Sequence, residues 1–147
     1  MIQIQRGEIN NMVATCSRNK TLTGNNVNYL WSMTHKLTNQ NWKFLPYRIL
    51  PDVNYAPSYD LFVLDVDYSL PEVFIGTATG DTANLHLIDG QYFVKIYEQY
   101  SPINLNPQLS HDVVYEGIAE VNYSGQPQNQ IISYTGTGEV FKVYNSY

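Results

Sequence analysis

With 147 residues, 44% of them apolar, the chain is long enough to bury a core and too apolar to be disordered. A net charge of −5 with eight Lys and Arg scattered singly leaves no basic stripe, so no direct nucleic-acid partner is expected. One cysteine excludes an internal disulfide, and neither a signal-peptide core after Met1-Ile2-Gln3-Ile4-Gln5-Arg6 nor a membrane-length apolar stretch is visible, which predicts a chain made and assembled in a cytoplasm without membrane insertion.

A two-residue hydrophobic period dominates from end to end. Ile2 to Gln5 and Met12 to Cys16 are short strand candidates. Tyr29, Trp31, Met33, His35 and Leu37 occupy alternate positions with polar residues between them, Leu30 excepted. Their β-branched and aromatic content favours a strand with one buried face over a helix. Trp42 to Tyr47 reads as a strand that Pro46 confines to an edge or stops early. From Leu61 to Tyr68 the residues Phe62, Leu64, Val66 and Tyr68 share one face, with Asp65 and Asp67 on the other. Tyr92, Val94 and Ile96 point inward along Gln91 to Gln99, opposite Phe93, Lys95 and Tyr97. Leu85 and Leu87 lie just upstream, so Ala83 to Gln99 is expected to form a hairpin closed by Ile88-Asp89-Gly90. Ser101 to His111, with Pro102 and Pro107, reads as an irregular loop, and Val113 to Tyr123 as a further strand. Gln130 to Tyr134 and Glu139 to Tyr144 flank the turn Thr135-Gly136-Thr137-Gly138.

About nine short strands separated by turn signals predict an all-β fold, a single-domain antiparallel β-sandwich of immunoglobulin-like or jelly-roll-like type spanning residues 1–147.

Chemistry is sparse. Gly76-Thr77-Ala78-Thr79-Gly80-Asp81 has spaced glycines, but a strand and not a helix follows, so a surface loop is expected instead of a phosphate cradle. Asp65 and Asp67 can share a divalent cation from one strand face, or they can be a solvated face that discourages edge pairing; the second reading is preferred. His35, His86 and His111 belong to no metal-ligand spacing, and His35 falls on an apolar face as a core or interface histidine. Cys16, beside Val13 and Ala14, reads as a buried apolar residue with no activating partner. No catalytic, cofactor-binding or metal-binding residues are assigned, and no enzyme activity is expected.

What the chain has in excess is aromatic and amide side chains. Thirteen tyrosines contribute to an aromatic content of 14%, equal to the whole charged content. Tyr47, Tyr55, Tyr59, Tyr100 and Tyr147 fall outside the alternation or at its ends, where they suit either sandwich corners or partner-facing patches. Amide pairs such as Asn10-Asn11 and Asn25-Asn26 replace charge on the surface. That composition suits a subunit packed against others, and it equally suits an AT-rich genome.

Several segments resemble small all-β virion structural proteins of phages infecting Bacteroidota, including crAss-like phages. They are Tyr59-Asp60-Leu61-Phe62-Val63-Leu64, Leu87-Ile88-Asp89-Gly90-Gln91-Tyr92, Val94-Lys95-Ile96-Tyr97-Glu98-Gln99 and the strand Val114 to Val121. The opening Met1-Ile2-Gln3-Ile4 with Met12-Val13-Ala14-Thr15 is similar in style, whereas Asn54 to Tyr59 departs from the family's Arg-Tyr-Asn-like segment. The resemblance implies a bacteriophage capsid or head decoration, vertex or fibre-anchoring protein, located in the virion, homo-oligomeric and in contact with other capsid or fibre subunits. The alternative is a carbohydrate- or receptor-binding module of a fibre or tail, with Trp31 and Trp42 available to report glycan binding.

Overall fold

The computed structural model describes residues 1–49, 59–77 and 81–123, and the backbone of 131–136 and 139–144. The fold is all-β. Nine strands form two sheets: β1 (Ile2–Arg6), β2 (Ile9–Ala14), β3 (Asn28–His35), β4 (Asn41–Phe44), β5 (Tyr47–Ile49), β6 (Asp60–Asp65), β7 (Ala83–Asn84), β8 (Gly90–Gln99) and β9 (Asp112–Tyr123). A four-residue helix, α1 (Cys16–Asn19), follows β2. The first sheet has the order β1-β9-β8-β3-β4; in the second, β2-β6-β5, β7 also pairs with β6. Strands β10 (Ile131–Gly136) and β11 (Glu139–Tyr144) form the antiparallel ribbon expected around the glycine turn, with Gly136 opposite Glu139. Turn residues 137 and 138 themselves lie outside the described residues.

Alternation dictates which side chains meet between the sheets. Ile4, Trp31, Met33, Tyr92, Val94, Ile96 and Val121 of the first sheet join Met12, Phe62 and Leu64 of the second in one buried cluster. Trp31 and Phe62 cross the gap in an edge-to-face contact at 5.1 Å, a geometry that adds to the area the rings bury.

Two of the corners at which the chain folds over from one sheet to the other are each made by the residue type that permits it. Between β1 and β2, Gly7 (φ 86°) and Glu8 together oppose Val66. Gly7 N–H donates to Val66 O at 2.6 Å and Val66 N–H donates to Glu8 O at 3.3 Å, the pattern of a glycine-led bulge. Between β4 and β5, Pro46 removes one ladder donor. Leu45 there leaves the first sheet, donating its N–H to Phe74 O at 2.8 Å and accepting from Gly76 N–H at 2.7 Å. Pro46 thus ends β4 as expected, and β4 is an edge strand.

Three expectations need correction. Ala83 to Gln99 is not a hairpin: β7 pairs with β6 in parallel, while β8 lies between β3 and β9. Leu85 and Leu87 are fully buried, so they point into the core as the alternation implies, but the Asp89-Gly90 corner (Gly90 φ 135°) carries the chain from one sheet to the other. The antiparallel-rich sandwich is as expected, and it includes two parallel pairings, β1/β9 and β6/β7. Leu37 does not continue the buried face of β3; it is 88% exposed in the turn after His35, where Asn39 adopts a left-handed φ of 58°. Tyr68 lies past the end of β6 and is exposed, its hydroxyl donating to Leu87 O at 2.6 Å.

Candidate functional site

One concavity is a cleft of about 710 Å³ beside the Pro46 corner, within the usual size of ligand sites. Asn25, Asn26, Asn28 and Tyr29 form one wall; Tyr47 and Arg48 of β5 and the Ile75–Thr77 segment form another. Tyr100 and Ile103 supply the rim, exposed by 54% and 71%. Asn28 Nδ2 donates to Tyr100 O at 3.1 Å and the Tyr100 hydroxyl donates to Thr23 O at 3.1 Å, so the rim is tied to the loop before β3. Gly76 makes the close approach of the walls possible: a Cβ there would sit 2.8 Å from Tyr47 N and 3.1 Å from Ala83 N.

Behind the cleft is a buried polar lock. Arg48 Nη2 lies 2.6 Å from Asp60 Oδ1, and the Arg48 guanidinium lies 5.2 Å from the centre of the Tyr29 ring. Asp60 also accepts from Ser17 N–H at 2.6 Å and from the Ser17 hydroxyl. Arg48 donates to Ser17 Oγ at 2.7 Å as well. Burial raises the Tyr29 hydroxyl pKa, with Ser17 and Arg48 acting against it. Among the described residues, the one charged side chain lining the cleft is therefore matched by a carboxylate, and the rest of that lining is mostly amide, aromatic and apolar. Such a surface suits a neutral, hydroxyl-bearing ligand or an uncharged peptide segment, not an ion.

The residues singled out in the sequence are dispersed. Cys16, at the start of α1, is fully buried, and burial first, then Asp60, push its thiol pKa far up; it is not an activated nucleophile. His35 is 3% exposed. Thr38 N–H donates to its Nδ1 at 3.2 Å, which fixes the proton on Nε2, 3.2 Å from Asp89 O. His86 stacks on Tyr68 at 4.8 Å, and Arg6 covers Tyr68 at 5.0 Å, so that tyrosine is no open stacking platform. His111 is exposed, its backbone N–H donating to Glu98 O at 2.9 Å.

Asp65 and Asp67 titrate in opposite directions. Burial and then Asp67 raise the Asp65 pKa, whereas hydrogen bonds from the Ser69 hydroxyl and N–H at 2.7 and 2.8 Å lower that of Asp67. Asp67 is thus engaged in a local turn. Among the described residues no three His, Cys, Asp or Glu side chains converge as metal ligands, and no helix is long and apolar enough to cross a membrane.

Of the tyrosines singled out, Tyr47 and Tyr100 line the cleft and Tyr59 is 53% exposed. Tyr55, Tyr147 and residues 78–80 of the glycine-spaced segment lie outside the described residues. Trp31 and Trp42 are core residues, 0% and 6% exposed, and neither lines the cleft.

Sequence reasoning missed the Arg48–Asp60 lock and the buried carboxylate of Glu98. Glu98 is 0% exposed and accepts from Thr21 N–H at 3.0 Å, from the Thr21 hydroxyl and from Leu22 N–H at 3.1 Å. The only signal for Glu98 was its place in β8 in phase with Tyr92, Val94 and Ile96, the inward positions of that strand.

No protein-family model, no curated protein and no solved structure matches this chain.

Proposed function

We propose that this protein is a non-enzymatic structural component of a bacteriophage virion, of head decoration, vertex or fibre-anchoring type, that works by docking onto other subunits after synthesis in the host cytoplasm. The observation that supports an assembly role is the surface. Large apolar or aromatic side chains stay exposed on several elements, among them Phe93 and Val113 on the first sheet, Val73 and Phe74 before β7, and Ile103 and Leu109 in the loop before β9. With charged residues at only 14% of the chain, this surface has little electrostatic protection against association. Mass spectrometry of purified particles produced from the genome that encodes the chain tests the virion reading. Stoichiometric copies are expected, and absence from the particles overturns it.

A second reading is a carbohydrate- or receptor-binding module, favoured by the charge-matched Tyr–Asn cleft. Saturation-transfer NMR with neutral oligosaccharides tests it, with loss of signal expected in Tyr47→Ala and Tyr100→Ala. Because Trp31 and Trp42 are buried away from the cleft, tryptophan fluorescence is the wrong reporter.

A further inference from the structure

We propose that two copies of this chain pair through β2, edge to edge and antiparallel, about a two-fold axis passing beside Asn11. The proposal deepens the assembly reading by naming one partner, a second copy, and the surface it uses.

β2 ends the order of the second sheet, so among the described residues one of its two edges is unpaired. The hydrogen bonds show which residues face that edge. Val66 N–H donates to Glu8 O, so the Glu8 carbonyl points at β6 and the next N–H, on Ile9, points the other way. Because these directions alternate along a strand, Asn10, Met12 and Ala14 bond toward β6. Ile9, Asn11 and Val13 turn both backbone groups outward. The same three carry the exposed side chains of β2, with Ile9 at 65% and Val13 at 48%.

Natural edges are usually blunted by charge, proline or a bulge within the strand. The six residues Ile9-Asn10-Asn11-Met12-Val13-Ala14 have neither a proline nor an ionisable side chain, and the Gly7 bulge precedes them. They are also self-complementary. With Asn11 opposite Asn11 of the second copy, Ile9 falls opposite Val13 at both ends of the ladder. All three positions then form hydrogen-bonded pairs and all three side chains share one face. Two β-branched pairs would flank an amide–amide contact on the axis, a combination that stabilises strand pairing.

Charge permits the approach. The chain carries −5 overall, but none of it sits on β2. In this register the two Glu8 residues stand about 20 Å apart at roughly 3.4 Å per residue, beyond a Debye length of about 8 Å at physiological salt.

Three measurements test the register. Sedimentation at about 100 μM, where a micromolar dimer is saturated, is expected to give a dimer for the native chain. Asn11→Cys is expected to oxidise in air to a disulfide-linked dimer, since facing residues of a hydrogen-bonded pair lie about 5.5 Å apart at Cα, within disulfide range. Leu37→Cys, in an exposed turn away from β2, is expected to form no disulfide-linked dimer under the same conditions. Asn11→Asp, which sets two carboxylates face to face, is expected to weaken the dimer at least roughly tenfold, while Asn11→Gln leaves it within about threefold. A native chain that sediments as a monomer, or an Asn11→Cys chain that cross-links no more than Leu37→Cys, overturns the proposal. These failures are separate from that of the virion reading: a β2-paired dimer absent from particles removes only the latter, and a particle-bound monomer removes only the former.

Discussion

Asp60 and Arg48 meet at 2.6 Å beneath the cleft, the Asp60 side chain 1% exposed and the Arg48 side chain 20%. Ser17 bonds to both, so this contact ties α1 and β5 to the start of β6. Removing one member of a buried pair leaves the other charge uncompensated, at a cost of about 3–5 kcal/mol. Asp60→Ala is therefore expected to lower unfolding free energy by about that amount in urea titration. The double variant Asp60→Leu with Arg48→Met should recover much of the loss, because no unpaired charge then remains. An Asp60→Ala chain as stable as the native one would mean that the contact contributes nothing.

Glu98 predicts acid sensitivity. Burial alone would raise its pKa, but hydrogen bonds from Thr21 and Leu22, with the nearby His111 charge, outweigh burial and hold it below its ordinary value of 4.5. A carboxylate whose folded pKa is depressed binds protons more readily when unfolded. Its contribution is complete above the unfolded value of 4.5 and is lost as pH falls through the lower folded value. Unfolding free energy measured from pH 6 downward is expected to decline through this window. Glu98→Gln should flatten that part of the profile, and an unchanged slope would count against the assignment.

Gly90 and His35 are coupled sterically. A Cβ at position 90 would lie 2.5 Å from His35 Nε2, and φ is 135° there. Gly90→Ala is expected to cost about 1–3 kcal/mol in backbone strain alone, with the clash added. In a double-mutant cycle His35→Ala should relieve the clash and not the strain, giving a coupling energy of favourable sign. Strict additivity would show that the close approach has no energetic consequence.

Cys16 should be chemically silent. A fully buried thiol with a raised pKa presents almost no thiolate to solvent. A disulfide exchange reagent is expected to titrate no thiol in the native chain and one in denaturant. Rapid native labelling would contradict the burial.

Side-chain facing was legible in the sequence wherever a period of two ran unbroken, as along Tyr92 to Ile96 and Phe62 to Val66, because alternation follows from backbone geometry alone. Partner choice was not legible. Leu85 and Leu87 have the same period as β8 and lie beside it in sequence, yet Leu85 N–H bonds to Asp65 O at 3.1 Å. Local pattern carries no record of which sheet a strand joins. Leu37 and Tyr68 extended a correct period past the point where a turn ended the strand. The cleft was invisible for a related reason: its walls come from residues 25–29, 45–48, 62, 75–77, 100 and 102–103, segments far apart in sequence that only the assembled sandwich brings together. Tyr47 and Tyr100 stood out as departures from alternation, and that was the one sequence signal the cleft left.

The parallel pairing of β1 with β9 sets Ile2 against Ala119 and Arg6 against Tyr123. On a ribosome, β1 must wait for β2 to β8 to be synthesised before its sheet partner exists. Topologies dominated by such distant contacts fold slowly, and during that wait the uncharged β2 is exposed with its intended neighbour β6 still unmade. Crowded nascent chains would then compete for the same strand, so yield on expression should fall with synthesis rate and temperature more steeply than native stability alone would dictate.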